Sequence, residues 1–140
     1  MILNTIDSAG PEPATSPPIA LLHGLFGRAQ NLASVARALS PTHRVLALDL
    51  RNHGASPHAP EMDYPTLAAD VLQTLAAHHA LPCILLGHSM GGKTAMAAAL
   101  ASPAAITCLI VADIAPVPYA HHNAAIAQTL LSLPLTPNLT

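Results

Sequence analysis

The segment Gly87-His88-Ser89-Met90-Gly91 holds the side chain with the most chemistry to offer. A serine hydroxyl is a weak nucleophile until a turn presents it to a base and to a carbonyl. The pattern G-x-S-x-G does this with a tight strand-to-helix elbow, which lifts the serine out of the sheet in a strained backbone state. The residues two before and two after the serine must then be small, and Gly87 and Gly91 occupy those positions. On this reading Ser89 is the nucleophile. The N–H of Met90 points at the developing oxyanion, at a helix start whose dipole favours negative charge. A second N–H must come from a loop after another strand. His23-Gly24-Leu25-Phe26-Gly27 is such a loop, with Leu25 as the donor and His23 and Gly24 supporting it.

The same stretch, extended to Thr94, also satisfies G-x-x-x-x-G-K-T, the phosphate-binding loop. Lys93 would then reach phosphates, Thr94 would hold Mg²⁺, and Asp113, at the end of the run Cys108–Ala112, would stand as the Walker B-type acid. That loop normally follows the first strand of its domain, however, and it would leave HGLFG without a role. The elbow is the preferred reading.

Asp113 ends the apolar run after the elbow, where a carboxylate could serve as triad acid or as a loop cap. The chain has nine histidines. A triad base must reach the serine hydroxyl. His88 is expected to project to the other side of the elbow as a packed residue, and His23 to stabilise its loop. His78-His79 and His121-His122 read as solvated, since neither pair has a third metal ligand at helical spacing. Asp49 and Arg51, in DLRNHGAS, are expected to bond neighbouring backbone in a structural loop.

These residues need a scaffold. Ile19–Leu22, Val45–Leu48, Ile84–Leu86 and Cys108–Ala112 are short, continuous apolar runs, the mark of strands buried on both faces. Between them, Leu32, Val35, Ala36 and Leu39, and then Leu67, Val71 and Leu75, fall at helical spacing. Asp63-Tyr64-Pro65 starts the second of these helices. Lys93–Ala101 and Ala124–Leu133 complete the set, the last with Ile126, Leu130 and Leu133 on one face. Alternating strands and helices predict an α/β fold, a parallel sheet covered on both sides, with function at the carboxyl ends of the strands. Gly10–Pro18 reads as a surface loop.

Composition narrows the function further. The 140 residues are 51% hydrophobic and 9% charged, with a formal net charge of −2. No basic stripe exists for nucleic acid. Thr94–Ala112 is uncharged and long enough to suggest a membrane span, but its alanines and Ser102-Pro103 favour a helix followed by a strand. Cys83 and Cys108 are expected as buried free thiols, in a cytoplasmic protein without a signal peptide.

LLHGLFGRAQNL, ALDLRNHGASPH, MDYPTLAADVLQTL, LLGHSMGGKTAMAAAL and VADIAPVPY occur in that order. Together they resemble the α/β-hydrolase superfamily esterases of the YbfF and abhydrolase domain-containing protein 11 type, from about Ile19 to Leu133. The resemblance implies an α/β-hydrolase fold and a small-molecule acyl ester or thioester substrate, with no metal or organic cofactor. It implies Ser89 as nucleophile, Leu25 and Met90 as oxyanion donors, and Asp113 as triad-type acid. It also implies that residues 1–118 are the N-terminal part of the core and 119–140 the start of a helical cap. The rest of the cap, the last core strands and the catalytic histidine are expected to be missing. Activity would then be impaired, and Cys108–Ala112 would be an exposed edge prone to self-association. A non-catalytic interaction module is the alternative.

Overall fold

Ile19 to Leu22 is apolar at every position because both faces of that strand are covered. Ile19 and Leu21 pack with Val45, Ala47, Ala29 and Ala36 on one side of the sheet. Ala20 and Leu22 pack with Leu46, Leu48, Leu67, Val71 and Leu75 on the other. Each fully buried leucine contributes about 1.5–3 kcal/mol of transfer free energy. The structure, a computed structural model, describes residues 1–11, 16–119 and 123–133.

The strands are β1 (Thr5–Ser8), β2 (Ile19–Leu22), β3 (Val45–Leu48), β4 (Cys83–His88) and β5 (Ile106–Ala112). They form one sheet in the order β1-β3-β2-β4-β5. The β2, β3, β4 and β5 pairings are parallel, and β1 runs antiparallel to β3. The helices are α1 (Ala33–Leu39), α2 (Tyr64–Ala77), α3 (Met90–Ala101) and α4 (Asn123–Ser132). Asp63 caps α2 by accepting the Thr66 N–H at 2.8 Å, with Pro65 in the first turn. Ala95 and Ala98 of α3 are fully buried, and their small side chains bring that helix close to the sheet.

This strand order decides where a site can form. From β2 the chain moves to β3 on one side, then crosses back to β4 on the other. The carboxyl ends of β2 and β4 therefore lie side by side while their following loops diverge, the topological switch point of a parallel sheet. The loops that leave those ends are HGLFG and HSMGG.

Several expectations need correction. β1 was not foreseen. Thr5-Ile6-Asp7-Ser8 is a half-exposed antiparallel edge with one aliphatic residue, so it carries no apolar run. Helix α3 starts at Met90 rather than Lys93. Val35 is exposed rather than on the buried face of α1. Cys83 is buried, and that burial pushes its thiol up to about 11. Cys108, expected to be buried, is exposed. The reason is that β5 is the last strand of the sheet among the described residues. Leu109 and Ile110 on it are 38% and 43% exposed. The predicted apolar edge is therefore present. Ile126, Leu130 and Leu133 of α4 are also exposed. The uncharged stretch Thr94–Ala112 divides into α3, a 3-10 turn at Pro103–Ala105 and β5. Among the described residues no helix is long and apolar enough to cross a membrane. His121 and His122 lie outside the described residues, as do residues 12–15 of the expected surface loop.

Candidate active site

Three residues, Gly87, His88 and Ser89, separate the end of the β4 apolar run from the first turn of α3, and the backbone makes the corner at Ser89. Its φ and ψ are 53° and −118°, a region a non-glycine residue enters at a cost of about 1–3 kcal/mol. Main-chain bonds hold it there. Ser89 N–H donates to Ala112 O at 3.0 Å, and Ser89 O accepts from Gly92 N–H at 2.9 Å and Lys93 N–H at 3.2 Å. The flanking glycines are required by contact. A Cβ on Gly91 would lie 2.5 Å from Leu22 O and 2.6 Å from His23 O, and one on Gly87 would run into the Gly91 carbonyl. The elbow is thus pressed against the end of β2. Met90 N–H, in the first turn of α3, has no acceptor among the described residues.

The loop after β2 reaches the same corner. A Cβ on Gly24 would stand 3.3 Å from the Cβ of Ser89 and 3.2 Å from His88 Nδ1. The N–H of Leu25 also finds no acceptor among the described residues. Two free donors therefore belong to the two strand ends that meet at Ser89. His23 is almost fully buried below them. Its Nε2 accepts Leu50 N–H at 3.0 Å, so its Nδ1 carries the hydrogen and donates to Gly24 O at 2.8 Å. Gly27 N–H donates to that same carbonyl at 3.0 Å. His23 thus bonds the main chain of the loop that follows β2 and that of the loop that follows β3.

Asp113 follows β5 directly. Its neighbour Ala112 anchors the Ser89 N–H, which places the carboxylate at the rim of the elbow. Asp113 has φ 56° and its side chain is 88% exposed. His88 Nε2 lies 3.7 Å from its Oδ2. His88 is not the packed residue expected from sequence. It is exposed, with its ring beside Asp113. A cavity of about 440 Å³ opens there, lined by the loop 23–27, Asn31, Leu32 and His88.

The alpha/beta hydrolase fold family model matches residues 17–136. The chain belongs to the α/β-hydrolase fold family. It is 51% identical over 104 residues to the sn-1-specific diacylglycerol lipase ABHD11 of Xenopus laevis, covering 73% of this chain and 33% of that protein. It is 46% identical over 102 residues to esterase YbfF of Escherichia coli (strain K12), covering 73% of this chain and 40% of that one. Among solved structures, a marine microorganism esterase superposes with a TM-score of 0.83 at 36% identity, over 93% of this chain and 49% of that one. The chain thus spans between a third and a half of the relatives it matches.

Within this α/β-hydrolase the side chains of the phosphate-loop motif are committed elsewhere. Lys93 Nζ donates to Val117 O at 2.7 Å and sits 4.6 Å from the centre of the Tyr119 ring. Thr94 is fully buried, and its hydroxyl donates to Met90 O at 3.0 Å. The Thr94 hydroxyl is therefore turned into the helix rather than toward a metal, and Lys93 is directed to the loop after β5. Among the described residues no three His, Cys, Asp or Glu side chains are grouped to hold a metal ion.

The structural reading of DLRNHGAS holds, and it does more than sequence could say. Asp49 accepts Ala29 N–H at 2.6 Å, Ala55 N–H at 2.9 Å and Asn4 Nδ2 at 2.8 Å. Burial pushes its carboxyl up, but these donors outweigh burial and hold it below the usual range. Arg51 pairs with Asp70 of α2. Sequence reasoning missed His53, whose ring lies 5.1 Å from that of His23.

Burial lowers the His23 pKa below its ordinary 6.5, because charging the ring would cost solvation. The folded chain then binds fewer protons at this site than the unfolded chain does. Stability from His23 is complete above pH 6.5 and is lost as pH falls from there toward the folded value. Urea unfolding between pH 7.5 and 5 should show this decline, and His23→Gln should flatten it.

Proposed function

We propose that this chain carries the nucleophile of a serine hydrolase of carboxylic esters, acting on short acyl esters or thioesters through an acyl-enzyme. The observation that supports the reading best is the left-handed Ser89 corner facing two unpaired N–H groups. Ser89 Oγ attacks the ester carbonyl, and the carbonyl oxygen gains charge. Leu25 and Met90 receive that oxyanion, and the start of α3 adds its dipole. Collapse of the tetrahedral adduct expels the alcohol or thiol and leaves Ser89 acylated, and water then releases the acid. Asp113 is the acid of the triad, exposed and able to accept an N–H from an imidazole.

The base is a different matter. His23 spends both ring nitrogens on the main chain and cannot take the serine proton. The family's catalytic histidine has no counterpart assigned among these residues. We therefore read the chain at hand as slow. With a triad member lacking, an intact oxyanion hole still gives about 10³–10⁴-fold over water. The relatives named a diacylglycerol lipase and an esterase share the carboxylic ester bond, which is the substrate class proposed. Free thiols at Cys83 and Cys108 suit a reducing cytoplasm. The exposed β5 edge supports a second reading, association through that strand; sedimentation of wild type beside Ile110→Lys tests it.

The experiment for the main reading is hydrolysis of p-nitrophenyl acetate and butyrate by wild type, Ser89→Ala and Asp113→Asn. Saturable hydrolysis that Ser89→Ala abolishes supports the proposal. Equal rates in wild type and Ser89→Ala count against it.

A further inference from the structure

His53 lies in the loop after β3, away from both strand ends that form the elbow. Its Nδ1 is 2.9 Å from Arg51 O, and its Nε2 is 3.3 Å from Phe26 N. A carbonyl can only accept, so in the neutral ring Nδ1 carries the hydrogen and the Nε2 lone pair receives the Phe26 N–H. Phe26 needs such a tether. It is a bulky residue at φ 60° and is 55% exposed, so packing does not hold it in a left-handed conformation that costs free energy.

His23 repeats the arrangement one layer deeper. Its Nε2 accepts Leu50 N–H and its Nδ1 donates to Gly24 O. Two imidazoles with the same tautomer thus link the main chain at residues 50 and 51 to the main chain at Gly24 and Phe26. Leu25 lies between those two tethered positions. Its N–H direction is set from one side by the Gly24 carbonyl and from the other by the Phe26 amide. The platform behind His53 is itself fixed, since Arg51 bonds Asp70 Oδ2 and Glu61 O.

We propose that His53 is a positioning residue for the oxyanion loop, holding Leu25 N–H in place by accepting the Phe26 N–H with Nε2. The proposal rests on the serine-hydrolase reading for its catalytic meaning, but its geometry can be tested without it. His53→Gln supplies a carbonyl acceptor near the Nε2 position, and His53→Leu supplies none. In ¹⁵N-labelled protein at neutral pH, the long-range imidazole spectrum of His53 should show a bare Nε2 and a protonated Nδ1. The Leu25 and Phe26 amide resonances should move in His53→Leu and return toward wild type in His53→Gln.

The second arm is the rate at which a fluorophosphonate labels Ser89. One lost oxyanion donor costs about 10²–10³-fold, so a displaced but present donor should cost about 10-fold or more in His53→Leu. His53→Gln should restore the rate while melting temperatures stay close. A hydrogen on Nε2, unmoved Leu25 and Phe26 amides, or wild-type labelling in His53→Leu would each overturn the proposal. If the amides move as stated but wild type is not labelled at Ser89, the loop assignment stands and the hydrolase reading fails.

Discussion

Replacing Asp70 with alanine is expected to destabilise the fold by about 3–5 kcal/mol, the cost of leaving one member of a buried ion pair alone. The Asp70 and Arg51 side chains are 3% and 6% exposed and meet at 2.6 Å. The N-terminal ammonium contacts the other carboxylate oxygen at 2.5 Å. Without Asp70 the guanidinium keeps, among the described residues, the Glu61 carbonyl at 2.7 Å as its hydrogen-bond partner. The loss compares with a total stability of about 5–15 kcal/mol for an ordinary domain. Asp70→Asn should cost less, since it keeps an acceptor. The joint replacement Arg51→Met, Asp70→Leu should recover part of the loss, because the buried guanidinium is then removed with its partner and the more exposed terminal ammonium keeps Gln73 Oε1.

The pH dependence follows from the same pair. Burial pushes the Asp70 carboxyl up, but Arg51 and the terminal ammonium outweigh burial and hold it below the ordinary 3.8. A depressed carboxylate gives stability that is present above its unfolded value and is lost as pH falls through its folded value. The gap between wild type and Asp70→Ala should therefore be constant at pH 5–7 and shrink below about pH 3.8. Denaturant midpoints at pH 7 and pH 3 measure both claims.

Gly91→Ala should do its damage at the elbow. The added methyl would meet two main-chain carbonyls, Leu22 O at 2.5 Å and His23 O at 2.6 Å. Neither can rotate away as a side chain would, so β2 and the elbow must separate. Overpacking of this kind costs about 1–3 kcal/mol. The effect on reactivity should be larger, since a displacement of about 1 Å can cost about 10²-fold. Gly24→Ala is the control. Its methyl would meet the Ser89 Cβ at 3.3 Å and the His88 ring at 3.2 Å, contacts that a shift of a few tenths of an ångström relieves. We expect Gly91→Ala to melt lower than Gly24→Ala and to label at Ser89 far more slowly.

The parts of this hydrolase legible in the sequence are those whose physics is local. β2 and β3 carry continuous apolar runs because helices cover both faces, so Ile19–Leu22 and Val45–Leu48 could be bounded to the residue. The elbow is local too, since G-x-S-x-G encodes a steric demand within five positions. What stayed hidden depends on distant partners. β1 has Asp7 and Ser8 where a buried strand would have leucines. β5 reads as buried from its composition, and its edge position was legible only through the family resemblance, not from the residues of the strand itself. His88 looked packed because nothing in the sequence says that its ring stands beside Asp113 at the wall of a cavity. Lys93 satisfied a phosphate-loop pattern until its amine was seen on Val117 O. His53 shows the limit most clearly. Its lone pair meets an N–H twenty-seven positions earlier in the chain, and no spacing rule announces such a contact.

On the proposed function, Ser89 is an activated nucleophile held in front of two main-chain donors. The most direct measurement is intact-protein and peptide mass spectrometry after exposure to a fluorophosphonate, with Ser89→Ala alongside. The expected result is a single adduct that forms slowly, maps to Ser89 and is absent from Ser89→Ala. An adduct on another residue, or no labelling above that of Ser89→Ala, would contradict it.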